Sequence, residues 1–170
     1  MSSLRLIGLT SIRIGAIGGA KAMGTTLVTI NAIVPDSAHL IFETPGVTDL
    51  FVEDEDLPDI QIIGPAKRTI EFATRDMATG ILIQAFGGSA SGTAWTASTS
   101  GAIVAKERCI EARSKAFGGK YLKIELPRVN VRNGGDLRFA KTESGQISWI
   151  CDVLFPATTP QTAPMVITSI

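Results

Sequence analysis

Residues 37–62 read SAHLIFETPGVTDLFVEDEDLPDIQI and carry the strongest hairpin signal in the chain. Two apolar-rich runs, Leu40–Glu43 and Val47–Val52, flank Pro45-Gly46, a dipeptide typical of turns. The pattern predicts two strands joined at this turn. Four consecutive acids, Glu53–Asp56, follow, and the quoted stretch contains no lysine or arginine. The predicted hairpin therefore carries unbalanced negative charge.

The rest of the chain also favours strands over helices. The clearest period-two stripe runs from Ile147 to Phe155, with Trp149 near its start. Gly118-Gly119 predicts the turn of a hairpin from about Val104 to Val131, and Gly134-Gly135 predicts a further turn. Shorter apolar or β-branched runs complete the predicted strands, at residues 12–14, 25–34, 60–63, 69–72 and 122–126.

One helix is predicted, near Asp76 to Phe86. Thr74 or Asp76 can cap its start, and Gly87-Gly88 is a typical end. Gly80 weakens helix formation, which favours a short helix. An apolar stripe at helical spacing would cover a sheet, and its members are Met77, Ile81, Leu82, Ala85 and Phe86.

Two segments after the helix predict irregular structure. Ser89 to Gly101 is rich in small polar residues and predicts a long loop around Trp95. The last segment has prolines at positions 156, 160 and 164 and no charged side chain after Asp152. This composition predicts an extended C-terminal arm, residues 157–170, that lies on another subunit, with a disordered tail as the alternative. The preceding residues, 1–156, form one predicted β domain.

Composition narrows the class of protein. The 170 residues are 45% hydrophobic and have a formal net charge of zero, whereas soluble monomers usually keep their net charge away from zero. A large β-rich core or a surface covered by partner copies would explain this. Eight of the sixteen acids lie between Asp36 and Asp59, and ten of the sixteen bases lie between Lys106 and Lys141. Such regions can pair between copies or meet within one subunit.

No catalytic, metal or cofactor motif stands out. Gly19 and Gly24 have the glycine spacing of a phosphate loop, but the lysine that should follow is missing and a strand comes next. His39 is the only histidine, and Cys109 and Cys151 lack metal-ligand spacing. We therefore expect no cofactor, no metal and no enzymatic activity. The cysteines are expected to stay reduced, although their pairing is left open.

Targeting and nucleic-acid signals are weak as well. Arg13 interrupts the first apolar stretch after a few residues, so a cleaved secretory signal is not expected. No run of about 18 apolar residues predicts a membrane helix. The basic region also contains acids, and a pI near 6.6 lacks the basic character of a tight nucleic-acid binder.

The order of the segments carries a resemblance to a known family. A Gly-rich opening comes first, followed by the acidic stretch, the strand-to-helix segment, a Trp-containing loop and two late strands. From Ile7 to Pro156 this order resembles the major tail tube protein of long-tailed bacteriophages. The segments that carry it read GLTSIRIGAIGGAKAMGTT, VPDSAHLIFETPGVTDLFVEDEDLPD, TIEFATRDMATGILIQAFGG, TAWTAS, YLKIELPRVNV and ISWICDVLFP.

The resemblance implies a β-sandwich or partly closed barrel flanked by one α-helix. Six copies would form a ring, and strands from every copy would join one β-barrel around a channel. Rings would stack into the tail tube of the virion, after assembly in the host cytoplasm. DNA would pass through the tube transiently. Tail terminator and tail-tip proteins and the tape-measure protein inside the tube are the implied partners, and no catalytic residue comes with the family.

For such a tube the sequence offers candidate contact residues. Glu43 and Asp49 are expected to approach the channel, where negative charge repels the DNA backbone. Trp95 is a candidate contact between subunits. An acidic block is expected to meet bases of a neighbouring copy, and it consists of Glu53, Asp54, Glu55 and Asp56. The candidate bases are Lys120, Lys123, Arg128 and Arg132.

Other functions stay open on the sequence alone. A tail terminator or tail-tip protein of the same fold would form a single ring. A capsid decoration protein would bind a shell as a monomer or trimer. A β-barrel enzyme would need a pocket lined by His39 and acids. The form of the oligomer distinguishes these alternatives.

Overall fold

The computed structural model describes residues 8–51, 60–98, 106–139, 144–156 and 163–170, without the side chains of 135–139 and 144. Within these residues the protein is built from β-strands, one α-helix and a short 3-10 turn at Gly19–Lys21. The strands before the helix are β1 (Leu9–Gly15), β2 (Leu27–Ile30), β3 (His39–Phe42), β4 (Val47–Leu50), β5 (Ile60–Ile63) and β6 (Arg68–Thr74). After the helix α1 (Thr79–Phe86) come β7 (Ser89–Ser91), β8 (Ala94–Thr96), β9 (Lys106–Ser114), β10 (Leu122–Phe139), β11 (Ser144–Val153) and β12 (Val166–Ser169).

Eight strands form one antiparallel sheet in the order β2-β1-β9-β10-β11-β6-β3, with β12 paired to β10. The segment after β2 returns to the far end of this sheet. The Val34 N–H donates to the Ala73 carbonyl over 2.9 Å, and the Arg75 N–H donates to the Ala32 carbonyl over 3.0 Å. The sheet is therefore curled, although its outer strands, β2 and β3, do not pair in the part that the structure describes. The predicted mainly β fold with one helix is confirmed, but the sheets do not close into a barrel.

The core fills the inside of the curl. Alternation along the strands sends Ile12, Ile14 and Ile110 inward, where all three are fully buried. Trp149 is 1% exposed and stacks on Phe72 of the neighbouring strand, with ring centroids 5.4 Å apart. Such a pair adds about 0.5–1.5 kcal/mol beyond the burial of its area. The stripe that begins at Ile147 marks a core face as far as Cys151, but Phe155 at its predicted end is 73% exposed.

The helix α1 covers one side of this core and is short, as Gly80 predicted. It begins at Thr79 instead of near Asp76. The Asp76 carboxylate accepts hydrogen bonds from the Asn31 N–H and from the Ala78 N–H, both 3.0 Å long. Asp76 therefore ties the chain ahead of the helix to the end of β2.

Gly87 and Gly88 end the helix as predicted, with φ of +76° and +84°. Gly88 is also required by close packing, since a Cβ there would lie 2.1 Å from the carbonyl oxygen of Thr96. The following residues pair as the β7–β8 hairpin. The long loop predicted for Ser89 to Gly101 is thus wrong at least as far as Thr96, because two short strands fold back on the helix end.

The hairpin predicted at Pro45-Gly46 is also wrong, because the strands on its two sides do not pair with each other. β3 pairs with β6, and β4 pairs with β5. The first ladder ends at the opposed pair Phe42–Arg68, and the second begins at Val47–Ile63, with four residues between them on each strand. The register is therefore continuous. One long ribbon has β3 and β4 on one side and β5 and β6 on the other.

Two prolines explain the interruption in this ribbon. The shared register sets Pro45 opposite Pro65, and neither residue has an N–H to donate to the ladder. Pairing resumes at the next position, where the Gly64 N–H donates to the Gly46 carbonyl over 2.7 Å. The connection between the two sides of the ribbon therefore lies within residues 51–59, which include the acidic block.

The late strands confirm one predicted turn and correct another. The Gly118-Gly119 turn joins β9 to β10 as predicted. β10 continues through Gly134-Gly135, so no turn occurs there. β12 pairs with Leu122–Glu125 of its own chain, so this part of the predicted extended segment is a strand of the sheet. That stretch has an edge available, because β11 pairs with β10 only from Val129 onward.

Both cysteines are free and buried, as expected. Burial raises the pKa of the Cys151 thiol. Cys109 lies beneath the loop between β1 and β2, where its Sγ donates to the Ala16 carbonyl (3.2 Å) and accepts from the Gly24 N–H (3.3 Å). A Cβ on Gly24 would lie 2.0 Å from that carbonyl oxygen. The glycine at this point of the loop serves close packing over Cys109.

Truncation of a core side chain should destabilise the protein strongly. Ile110 is fully buried at the centre of the sheet, so we expect Ile110→Ala to lower the free energy of unfolding by about 2–5 kcal/mol. Ile63→Ala is the matched control, because that side chain is 68% exposed. Urea unfolding followed by circular dichroism measures both changes. Equal losses in the two variants would contradict the assigned core.

Candidate functional site

The two-stranded sheet of β4 and β5 is the most unusual surface of the protein. It is called the arm below and is distinct from the C-terminal segment 157–170. Every residue of its two strands is exposed. The apolar side chains of the arm and of the adjoining Phe51 are between 47% and 68% exposed. They are Val47, Leu50, Phe51, Ile60, Ile62 and Ile63.

Apolar side chains lie on both faces of the arm. Opposed pairs share a face, so Leu50 and Ile60 lie on the same side as Ile62. Val47 and Ile63 form an opposed pair on the other side. A ribbon with one apolar face could pack on its own domain, but a ribbon with two needs more than one covering surface. This arrangement is typical of a contact between molecules.

Both predicted channel-facing acids lie on this ribbon. Glu43 adjoins the end of β3, where its N–H donates to the Lys67 carbonyl over 2.9 Å. Asp49 lies within the arm, opposite Gln61. Both acids are exposed, and neither forms an ion pair among the described residues. They are six positions apart, so alternation places both on the same side of the ribbon.

The acidic block Glu53–Asp56 lies outside the described residues. Its place in the chain is nevertheless fixed by its neighbours, because Leu50 and Ile60 form the last pair of the arm. The block is therefore part of the connection at the end of the ribbon. The contact of this block with a neighbouring copy stays a prediction.

Three of the four predicted basic partners already have acids in their own chain. Lys123 pairs with Glu125 at 3.1 Å, and a nitrogen of Arg128 pairs with Glu107. Arg132 pairs with Asp152. Lys120 is exposed and forms no ion pair within the described part of the chain. It is the one candidate of the four whose charge is not already matched there.

Asp152 is the centre of a charged cluster on the outside of the sheet. Its carboxylate accepts from Arg132 Nε at 2.7 Å and from Lys67 Nζ at 2.9 Å. Burial alone would raise the pKa of Asp152, but the hydrogen bonds from the two cations outweigh it and lower the pKa below its usual value. The cluster joins β10 and β11 to the residue before β6, within the interruption of the ribbon.

Trp95 lies against the helix of its own chain. Its Nε1–H donates to the Gly87 carbonyl over 2.8 Å, and its ring contacts that of Phe86 with centroids 6.3 Å apart. The β7–β8 hairpin places it there. Trp95 is still partly exposed, so its predicted role between subunits stays a prediction, although its polar atom is already satisfied.

The described residues hold no group of three or more His, Cys, Asp or Glu side chains that could share a metal ion. His39 lies on β3 opposite Glu71. In the same residues, no helix has the length and hydropathy needed to cross a membrane.

The arm was not predicted as a unit. The apolar run at 60–63 was predicted as a strand, but its pairing with 47–50 was not. A signal was present, because Pro45-Gly46 is mirrored by Gly64-Pro65 at the same distance from the middle of the connection. Mirrored breakers of this kind indicate two strands of one ribbon interrupted at the same level.

No protein-family model matches the sequence, and no curated protein matches it significantly.

Removal of the Asp152 charge should weaken the fold in a pH-dependent way. Its folded-state pKa is lowered, so the ionised carboxylate stabilises the protein above the unfolded-state pKa of about 3.9. This stabilisation is lost as the pH falls through the lower folded-state pKa. We expect Asp152→Asn to lower the Tm by a few degrees at pH 7, with the difference shrinking below about pH 4.

Glu43→Gln controls for the loss of one negative charge, because Glu43 has no ion-pair partner among the described residues. Thermal unfolding by circular dichroism between pH 2.5 and 7 gives the comparison. A pH-independent loss in Asp152→Asn would show that the cluster acts through packing and not through charge.

Proposed function

We propose that this chain is a major tail tube protein of a long-tailed bacteriophage. In this proposal, hexameric rings of the chain stack into a tube that joins the capsid to the tail tip and carries the DNA. The observation that supports it most is the arm, a ribbon with exposed apolar residues on both faces. The resemblance in segment order supplies the class of assembly.

An arm of this kind is suited to pairing between copies. A two-stranded ribbon is marginally stable by itself in water and gains stability from further strands or a packed face. β4 and β5 pair only with each other among the described residues, so each has a free edge. The β4 edge of one copy can pair with the β5 edge of the next. This contact is heterologous, and such contacts close into a ring when the rotation allows it.

Closure would remove the free strand edges of the arm and cover one of its two apolar faces. A continuous barrel has no free strand edges, and one apolar face of each arm would be covered by the sheets around it. The other side, which carries Glu43 and Asp49 together with Val47 and Ile63, would then line the channel. Negative charge there would repel the phosphate backbone, so DNA could slide through without binding.

Electron microscopy of the purified protein by negative staining, together with its mass in solution, tests the proposal. We expect long tubes with a central channel. Isolated rings would favour a tail terminator or tail-tip protein instead. A monomer at high concentration, or a trimer, would contradict ring stacking and reopen the enzyme and decoration alternatives.

A charge placed on the arm should prevent assembly without unfolding the protein. Ile62 is 52% exposed and lies outside the core, so Ile62→Asp should leave the circular dichroism spectrum and Tm nearly unchanged. Tube formation should be lost, because a carboxylate cannot be buried unpaired at the proposed contact. Sedimentation and microscopy give the readout.

Ser91→Asp adds the same charge to an exposed position of β7, outside the arm, and should still form tubes. If Ile62→Asp also formed normal tubes, the arm would not be the assembly contact.

Reversal of the acidic block should also stop assembly. Replacement of Glu53, Asp54, Glu55 and Asp56 by lysine would turn the predicted attraction to a neighbouring copy into repulsion. We expect a folded protein that forms no tubes in low salt. Adding Lys120→Glu to the reversed block should partly restore them if Lys120 is the partner. Normal tubes from the reversed block alone would remove this contact from the proposal.

A further inference from the structure

Two neighbouring side chains on the inner face of the sheet carry buried polar atoms that have no hydrogen-bond partner in the part that the structure describes. Trp149 on β11 is 1% exposed, and its Nε1–H has no acceptor. Asn133 on β10 is the residue opposite Trp149, and both polar atoms of its amide are buried without a partner. Folded proteins pair nearly all their buried polar atoms with other protein atoms or with ordered water. These two side chains therefore indicate a partner that the described residues do not supply.

Strand alternation places Asn133 on the inner face of the sheet. Val129 and Val131, the preceding residues of the same face of β10, are both buried in the core. Trp149 belongs to the same core. Opposed residues of two antiparallel strands share a face, with their Cβ atoms about 4.5–5.5 Å apart. The amide of Asn133 and the indole of Trp149 are therefore direct neighbours inside the fold.

The indole ring of Trp149 is held in place by Phe72. This residue opposes Trp149 from β6, and the two rings are stacked with centroids 5.4 Å apart and an angle of 11° between their planes. β6 and β10 lie on opposite sides of β11, so the stack occupies the side of Trp149 that faces away from Asn133. Rotation of the indole toward another acceptor would break this stack. The position of the N–H is therefore fixed.

We propose that this pair is a binding site for one interior water molecule, which bridges Trp149 Nε1–H and the Asn133 amide. The chemistry of the two groups selects water over an ion. An indole N–H only donates, whereas an amide both donates and accepts. The water oxygen accepts from Nε1, and a water proton is donated to Asn133 Oδ1. An anion would leave Oδ1 unpaired, and a cation would be repelled by the indole N–H.

The helix α1, which covers this core, offers a third partner for the same water. Gln84 has a buried Oε1 that receives no hydrogen bond among the described residues. A buried water usually forms about three hydrogen bonds, so Gln84 Oε1 is the candidate for the third. Lys106 of β9, opposite Val131, does not compete for the site, because its Nζ donates to the Ala85 carbonyl over 3.2 Å.

The bridge helps to set the register of β10 against β11. Gly134 and Gly135 follow Asn133 in β10 and offer no side chain to the partner strand. A slip by one residue would turn Asn133 to the outer face and leave the Trp149 N–H buried without the water. All groups of the bridge belong to one chain, so this inference does not depend on the proposed function.

A crystallographic or cryo-electron microscopy map that resolves ordered water tests the bridge directly. We expect a density peak about 2.7–3.2 Å from both Trp149 Nε1 and an amide atom of Asn133. Trp95 is the internal control, since its Nε1–H already donates to the Gly87 carbonyl over 2.8 Å and should have no such peak. A direct contact of Trp149 Nε1 with the Asn133 or Gln84 side chain would overturn the proposal, and so would the lack of any peak between Trp149 and Asn133.

The sign of a change in Tm gives a second measurement. Asn133→Leu removes the group that holds the water and leaves the Trp149 N–H unpaired, so the Tm should fall by about 2–4 °C. A rise would overturn the proposal, because it would show that Asn133 had no partner to lose. The matched control is the same substitution in a Trp149→Phe background, where no N–H remains and the Tm should stay level or rise. An equal fall in both backgrounds would attribute the loss to the shape of leucine and overturn the bridge.

Discussion

The change of partner along β10 determines the shape of the protein. The part at Leu122–Glu125 pairs with β12, the part from Val129 onward pairs with β11, and β9 runs along the other side of both. The change falls at Pro127, which has no N–H to donate and lies where the register with β9 shifts. A strand bent at this point lets one sheet curl until the chain after β2 reaches β6. Its own side chains and α1 then fill the interior.

Features that depend on near neighbours in the chain could be predicted from the sequence. The stripe through Trp149 gave an inward face because strand alternation needs no knowledge of the partner strand. The Gly118-Gly119 turn was found because its two strands are adjacent. Pro45-Gly46 was wrongly predicted as a hairpin turn. Proline and glycine are typical of turns and also of interruptions in a ribbon, and the sequence of one strand alone does not distinguish the two. The C-terminal strand has no charged residues and no clear alternation of polar and apolar residues. Its pairing with β10 could therefore not be predicted from the sequence.

The candidate site, like the fold, could be predicted only where it depends on residues that are near in the sequence. The exposure of Asp49 follows from the apolar and polar residues around it in the sequence. The partners of Arg128 and Arg132 do not, because Glu107 and Asp152 are brought to them by strand pairing across about twenty residues of sequence. Many acids are compatible with each base until the register is known. For this reason the sequence overestimated how much positive charge is free to meet another copy.

The two buried cysteines can report on opening of the structure, because they are shielded by different parts of the fold. Cys109 is shielded by the glycine loop on the outside of the sheet, whereas Cys151 is shielded by the core on the inside. A thiol reagent can reach the first when the loop lifts, but it reaches the second only when the sheet itself opens. The ratio of the two labelling rates therefore separates local opening from global unfolding. This ratio of labelling rates can be measured on the natural thiols without introducing a further cysteine. It can also be followed while copies of the chain associate.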